Sequence, residues 1–250
     1  FEGRFGRAER LAQHALVDTS LAGAASLVAA RAAHRMQESE RRDRWLEAAG
    51  DEPGAWHAQL MTSAELALEE KRPEDALAAI EPLRGGGPRP LHAMRLSLRA
   101  YEMAEDWSSL LQTLRELEKR DALHPAAIRG LKIRAYRALF SEPQADAGFV
   151  QRLHASLAPS DLAIDEVVEA AVRAFARVDL PDQAARAIER ALEARFADSL
   201  VSLYAELDAV PARERLANAE RWRVRYGDDA VLLATLGRLC AAGELWGKAE

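Results

Sequence analysis

The 250-residue chain carries 34 basic and 40 acidic side chains, a net charge of −6, and is 49% hydrophobic and 30% charged. That is a globular composition rather than a disordered or fibrous one, and the acidic excess argues against a nucleic-acid binder. One cysteine, Cys240, excludes an internal disulfide and a Cys-rich zinc site, and no apolar run approaches the roughly 20 residues that span a bilayer.

Aromatic residues make up only 6%, and Ala and Leu outweigh Val and Ile, a bias that favours helix over strand. Along the chain, Pro and Gly marks fall at Asp51–Gly54, Gly85–Pro90, His124-Pro125, Glu142-Pro143, Ala158–Asp161, Leu180-Pro181, Val210-Pro211 and Gly227–Asp229. Between them lie segments of roughly 10–17 residues with apolar positions at i, i+3, i+4 and i+7, the pattern of amphipathic helices. The most apolar stretch, Leu21–Ala30, is broken by Gly23 and Ser26. Gly85-Gly86-Gly87-Pro88 lacks the Lys-Ser/Thr of a phosphate loop and reads as a turn.

A period of about 34 residues marks tetratricopeptide repeats. The sets Ala8/Ala12/Ala15, Arg42/Leu46/Ala49, Ala76/Ile80/Leu83 and Leu110/Leu114/Leu117 follow one another at steps of 34. Arg42 and Leu110 depart from the usual small residue, so the repeats are degenerate. After Leu117 the register slips: Tyr136 suits the aromatic of a first helix, Gln144–Leu157 matches poorly, and Ala184/Ile188/Ala191 marks the next second helix. The period returns with Arg215/Ala219/Trp222 and Ala249, and Leu233, Leu236 and Gly237 fit a first helix in which Gly237 allows close packing. These observations predict an all-α, tetratricopeptide-repeat-like superhelix of antiparallel helix pairs. It forms one solenoid over 1–250, regular over 1–140, irregular over 141–162 and degenerate over 163–250. Stacked pairs share a core and leave a concave groove lined by first helices.

One groove position, read down the array, is Arg31, Glu65, Arg99, Arg134, Arg173 and Arg238, and its neighbours add His34, Arg35, His92, Arg95, Arg137 and Arg177. Arg grips carboxylates bidentately, so an anionic ligand is expected: an acidic peptide tail or the propionates of a porphyrin. The site residues are therefore Arg31, His34, Arg35, Arg95, Arg99, Arg134, Arg173 and Arg177. The alternative is that these arginines pair with nearby glutamates. The histidines His14, His34, His57, His92, His124 and His154 never take a metal-ligand spacing and read as surface or turn residues, although His34 or His92 in the groove could ligate a haem. Cys240 reads as core, as do Trp45, Trp107, Trp222 and Trp246 in second helices, with Trp56 exposed. No nucleophile–base set or carboxylate pair stands out, so no catalytic residue, metal or cofactor is expected.

The stretches Gly3–Ala12, Ala29–His34 and Glu40–Leu46, with Ala219-Glu220-Arg221-Trp222, Leu236-Gly237-Arg238-Leu239-Cys240 and Leu245-Trp246-Gly247-Lys248-Ala249, resemble the C-terminal tetratricopeptide region of the proteobacterial HemY family. The resemblance implies a membrane-anchored protein of late haem or porphyrin biosynthesis. It would act as a non-enzymatic scaffold that organises enzymes of the pathway or hands on tetrapyrrole. It further implies an N-terminal anchor with two spans in the bacterial inner membrane, this domain on the cytoplasmic face, and protein partners from the pathway. The chain opens at Phe1 without a methionine and stops at Glu250 within a helical pattern, so it is expected to be a fragment lacking that anchor. The flavin-dependent protoporphyrinogen oxidase of the same name is excluded, because Gly-x-Gly-x-x-Gly between a strand and a helix is missing. The rival readings are a tetratricopeptide assembly or co-chaperone module that binds acidic peptide tails, and an enzyme of tetrapyrrole metabolism.

Overall fold

The computed structural model describes residues 3–18, 21–52, 54–84, 90–207 and 210–243. The described residues are all-α: helices joined by short turns, with no strand among them. The Gly85–Pro88 turn, Trp246, Ala249 and the Leu245–Ala249 motif lie outside the described residues. The chain falls into two compact units, Phe1–Leu123 and His124–Glu250.

The first unit holds α1 (Phe5–Ala15), α2 (Ala22–Arg35), α3 (Ser39–Gly50), α4 (Trp56–Glu69), α5 (Pro73–Ile80), α6 (Leu91–Met103) and α7 (Trp107–Lys119), with a 3-10 turn at Glu81–Arg84 after α5. The helices α3, α5 and α7 begin 34 residues apart, and α2 and α4 begin at the same interval. Each first helix enters its second through the same turn. Gln37, Lys71 and Glu105 adopt left-handed φ values of 63°, 58° and 56°. The next N–H then reaches back over the turn, Glu38 to Ala33 O at 3.0 Å, Arg72 to Ala67 O at 2.9 Å and Asp106 to Tyr101 O at 3.0 Å. This is the Schellman closure that glycine usually supplies. A side chain in that conformation costs about 1–2 kcal/mol, so packing of the two helices, not the turn residue, fixes the angle between them.

The packing is dense in alanine. Ala30 and Ala33 of α2 are completely buried, as are Ala64, Ala76, Ala93 and Ala100, which with Leu68, Ile80, Leu83 and Leu96 form the core shared by α4, α5, the 3-10 turn and α6. Small side chains let the helices approach, and the larger ones fill what remains. The set Leu110, Leu114 and Leu117 of α7 is wholly buried, and each such leucine contributes about 1.5–3 kcal/mol by leaving water. At Gly23 of α2 the chain approaches closely: a Cβ there would stand 2.5 Å from Ala55 Cβ. Gly237 is half-buried.

Arg42 stands where the repeat pattern has alanine, yet it is buried. Its guanidinium donates to Asp43 Oδ1 at 2.7 Å and also pairs with Glu70, which in turn binds Arg72 and lies 3.3 Å from His34 Nδ1. A buried arginine is tolerated there because two carboxylates meet it.

The second unit contains α8 (Pro125–Phe140), α9 (Ala147–Ala155), α10 (Pro159–Leu162), α11 (Asp165–Arg177), α12 (Pro181–Ala194), α13 (Asp198–Ala205), α14 (Ala212–Tyr226) and α15 (Ala230–Ala242). The stretch 141–162 is occupied by the short helices α9 and α10. The pair α11–α12 repeats the turn of the first unit, with Asp179 at φ 59° and Leu180 N donating to Phe175 O at 2.9 Å. Prolines stand in the first turn of α8, α10 and α12 and at the N-cap of α14, while Asp146 and Asp229 accept from first-turn N–H groups of α9 and α15.

Several polar groups inside this unit are paired, although the buried Thr235 Oγ1 has no hydrogen-bond partner among the described residues. Tyr136, the aromatic of α8, donates to Asp161 Oδ2 at 2.7 Å, and Lys132 one turn before it holds Asp161 Oδ1 at 2.7 Å. All three residues are buried. Arg215, at a second position where alanine is usual, donates to the carbonyl of Ala205 at 2.6 Å and so satisfies the end of α13. Tyr204 donates to Glu189 Oε1 at 2.6 Å, and Asn218 donates to the same carboxylate at 2.7 Å. Trp222 meets the Tyr204 ring edge-on at 4.8 Å, and Cys240 is buried.

Candidate functional site

The groove positions divide between the two units, Arg31, Glu65 and Arg99 in the first and Arg134, Arg173 and Arg238 in the second. Within the first unit, α2, α4 and α6 lie in sequence, so equivalent positions of successive pairs come into contact. Arg31 binds Glu65, and Thr62 Oγ1 lies 3.4 Å from the same guanidinium. Glu65 Oε1 also meets His92 Nε2 of α6 at 2.8 Å. Arg35 reaches Glu69 at 3.2 Å. The pairs Arg31–Glu65 and Arg35–Glu69 both span 34 residues, the repeat itself. The positive charge expected on this face is thus largely answered by carboxylates of the next helix pair.

His34, read as a groove residue, is buried at 7% exposure between Glu69 Oε2 at 3.2 Å and Glu70 Oε1 at 3.3 Å. Both ring nitrogens face carboxylates of the next helix pair. Arg95 donates to Ala122 O at 2.7 Å, in the turn that follows α7. Arg99 is exposed. His92 is exposed but carries Glu65. Among the other histidines, His14, His57 and His124 are exposed, and Nδ1 of His124 accepts from Ala126 N at the start of α8.

In the second unit the arginines converge. A cleft of about 350 Å³ opens between α8 and α11, lined by Arg137, Phe140, Glu166, Glu169, Arg173 and Arg177 among others. Residues 166, 169, 173 and 177 follow the i, i+3, i+4 spacing of one helix face, which puts the carboxylates at the start of α11 and the guanidinia at its end. That polarity suits the helix dipole. Arg177 donates to Phe140 O at 2.8 Å and Glu142 O at 3.2 Å, so it is held rigidly at the end of α8. Glu166 is bound by Arg129 at 2.7 Å. Burial raises its pKa, but backbone hydrogen bonding together with Arg129 and Arg137 outweighs this and holds the carboxyl below its ordinary range. Arg173 is exposed and makes no hydrogen bond or ion pair among the described residues. Arg134 is exposed on α8.

The cleft thus offers a free guanidinium, a second one whose charge is shared with Glu166, and an apolar wall at the half-buried Ala170, with Phe140 and Ala174 almost wholly buried. It can seat a carboxylate against Arg173 and an adjoining apolar group on the wall. Arg137 is a neighbouring groove position in the sequence. The acidic partners Glu166 and Glu169 carried no sequence signal, because carboxylates at the start of a helix are ordinary.

A second hollow, in the first unit, surrounds Glu9, Arg41 and Trp45. The buried Glu9 accepts from Trp45 Nε1 at 2.9 Å and from Arg41 at 3.4 Å, so its carboxylate is already engaged. Among the described residues no group of three His, Cys, Asp or Glu side chains stands close enough to hold a metal ion. No described helix is long and apolar enough to cross a membrane. Set against protein-family models, curated proteins and solved structures, the chain matches none.

Proposed function

We propose that the chain is a non-enzymatic interaction scaffold whose α8–α11 cleft receives a carboxylate-bearing partner. The observation that carries this reading is Arg173: an exposed guanidinium without a described partner, beside the rigidly held Arg177 and above an apolar wall. The helix pairs are read as tetratricopeptide in type, the unit from which a superhelical array is built, on the strength of the 34-residue spacing and the recurring left-handed turn. The partner class follows from the cleft, and its setting in late haem biosynthesis, with anchoring at the inner membrane, rests on the likeness of the sequence motifs to the HemY family.

Among carboxylate ligands, an acidic segment of a partner protein suits an open cleft better than a whole macrocycle does. A tetrapyrrole would place only a propionate edge in about 350 Å³. Titration of the full chain with an Asp/Glu-rich peptide, and in parallel with haem and protoporphyrin IX, tests the proposal. The expected result is saturable, salt-sensitive binding of the peptide that Arg173→Glu weakens by about tenfold or more. Binding of tetrapyrrole alone, lost in the same variant, would replace the peptide by a porphyrin. Equal binding by Arg173→Glu, or no binding of any of the three by folded protein, overturns the assignment of the cleft.

A further inference from the structure

A different face of α11 borders a second cavity. The side chains of His154 on α9, Leu162 on α10, Val168 on α11 and Ala187, Arg190 and Ala191 on α12 enclose about 240 Å³ with mainly apolar walls. Alanines at 187, 191 and 194 leave the space that larger residues on α12 would fill. At interior packing density such a volume holds an apolar body of about ten carbon atoms.

Its polar rim is specific. Arg195 is spent on Asp165, donating to Oδ2 at 2.8 Å, and on Ala163 O at 2.6 Å. Arg190, one turn before, is exposed and has no ion-pair partner among the described residues. His154 packs edge-on against Phe175 at 5.1 Å, which turns its imidazole toward the same cavity. Burial, assisted by the nearby Arg190 charge, pushes the His154 pKa down, so the ring is neutral at pH 7 and adds no second positive charge. An apolar chamber with one uncommitted cation at its edge matches an amphiphile with one anionic end.

We infer that this cavity is a binding site for a small monocarboxylate with an apolar tail, the tail lying among Leu162, Val168, Ala187 and Ala191 and the carboxylate meeting Arg190. It is separate from the α8–α11 cleft and does not depend on the function proposed for that cleft.

Octanoate, kept below its micelle-forming concentration, is the probe, with calorimetry of the full chain as the readout. One saturable site per chain is expected. Arg190→Gln, a surface substitution, weakens it about tenfold or more, and octanamide binds more weakly than octanoate by a similar factor. Ala191→Trp fills the cavity and abolishes binding, while Arg173→Glu leaves it unchanged. If Ala191→Trp does not fold, the Arg190→Gln and octanamide arms decide the matter. No saturable binding, octanamide equal to octanoate, an unaffected folded Ala191→Trp, or loss of binding in Arg173→Glu each overturns the inference.

Discussion

Asp161→Asn is the sharpest test of how the second unit is held. The substitution keeps the shape of the side chain and an acceptor for Tyr136, but it removes the counter-charge of Lys132, which is only 4% exposed. Breaking one side of a buried ion pair costs about 3–5 kcal/mol. An independent ceiling comes from the amine itself. Lysine ordinarily titrates near 10.4, so losing its proton at pH 7 costs about 4.6 kcal/mol, and a defect larger than that would be relieved by deprotonation. A loss of about 3–4 kcal/mol at pH 7 is therefore expected. If Lys132 is neutral in the variant, its folded state binds fewer protons than the unfolded chain, and the defect shrinks by up to about 1.4 kcal/mol per pH unit above 7. Adding Lys132→Met should restore most of the lost stability. Urea unfolding of the full chain at pH 7 and 9, with hydrogen exchange to place the loss in α8 and α10, measures all three effects. A defect under 1 kcal/mol that ignores pH, or strict additivity with Lys132→Met, would refute the claim that this pair acts as a unit.

Gly23→Ala sets two effects against each other. Helix propensity favours alanine by about 1 kcal/mol, but the new methyl would lie 2.5 Å from Ala55 Cβ, and overpacking costs about 1–3 kcal/mol. Net destabilisation by urea is expected, and a stabilised variant would show that α2 and the start of α4 yield easily. Burial, reinforced by Glu189, pushes the Tyr204 hydroxyl well above the ordinary tyrosine value near 10. Its contribution to stability is complete below that value and declines as pH rises toward the raised folded one. In an alkaline ultraviolet titration, wild type and Tyr204→Phe should give equal phenolate amplitudes until the protein unfolds. An extra tyrosine titrating near pH 10 in wild type would contradict this.

The period of the first unit was legible because it rests on local physics. Ser39, Pro73 and Trp107 start equivalent helices at equal intervals, and the apolar sets fall on the faces those helices bury. The left-handed residues that punctuate them were not legible, since Gln37, Lys71 and Glu105 are poor candidates for that conformation. Arg42 and Arg215 looked like flaws in the repeat, and only the fold brings Glu70 and the Ala205 carbonyl to them. The arginine positions recur at one register of the sequence, but their charge balance depends on Glu65 and Glu69, which a single-helix reading sets aside as surface. His154 and Arg190 come together from two elements 36 residues apart in sequence, too far for any local pattern to join.

The ion pairs between neighbouring helices also give the repeats a fixed word order. Arg31 meets Glu65, and Arg99 stands 34 residues further on at the same register. A chain that lost its middle helix pair by recombination would keep a plausible stack of helices, yet it would set Arg31 against Arg99 and strand Arg35 opposite Met103. The pairs are alike enough to stack and unlike enough not to be interchangeable. Shortening of this unit by one helix pair would therefore leave two like charges facing each other at the new junction.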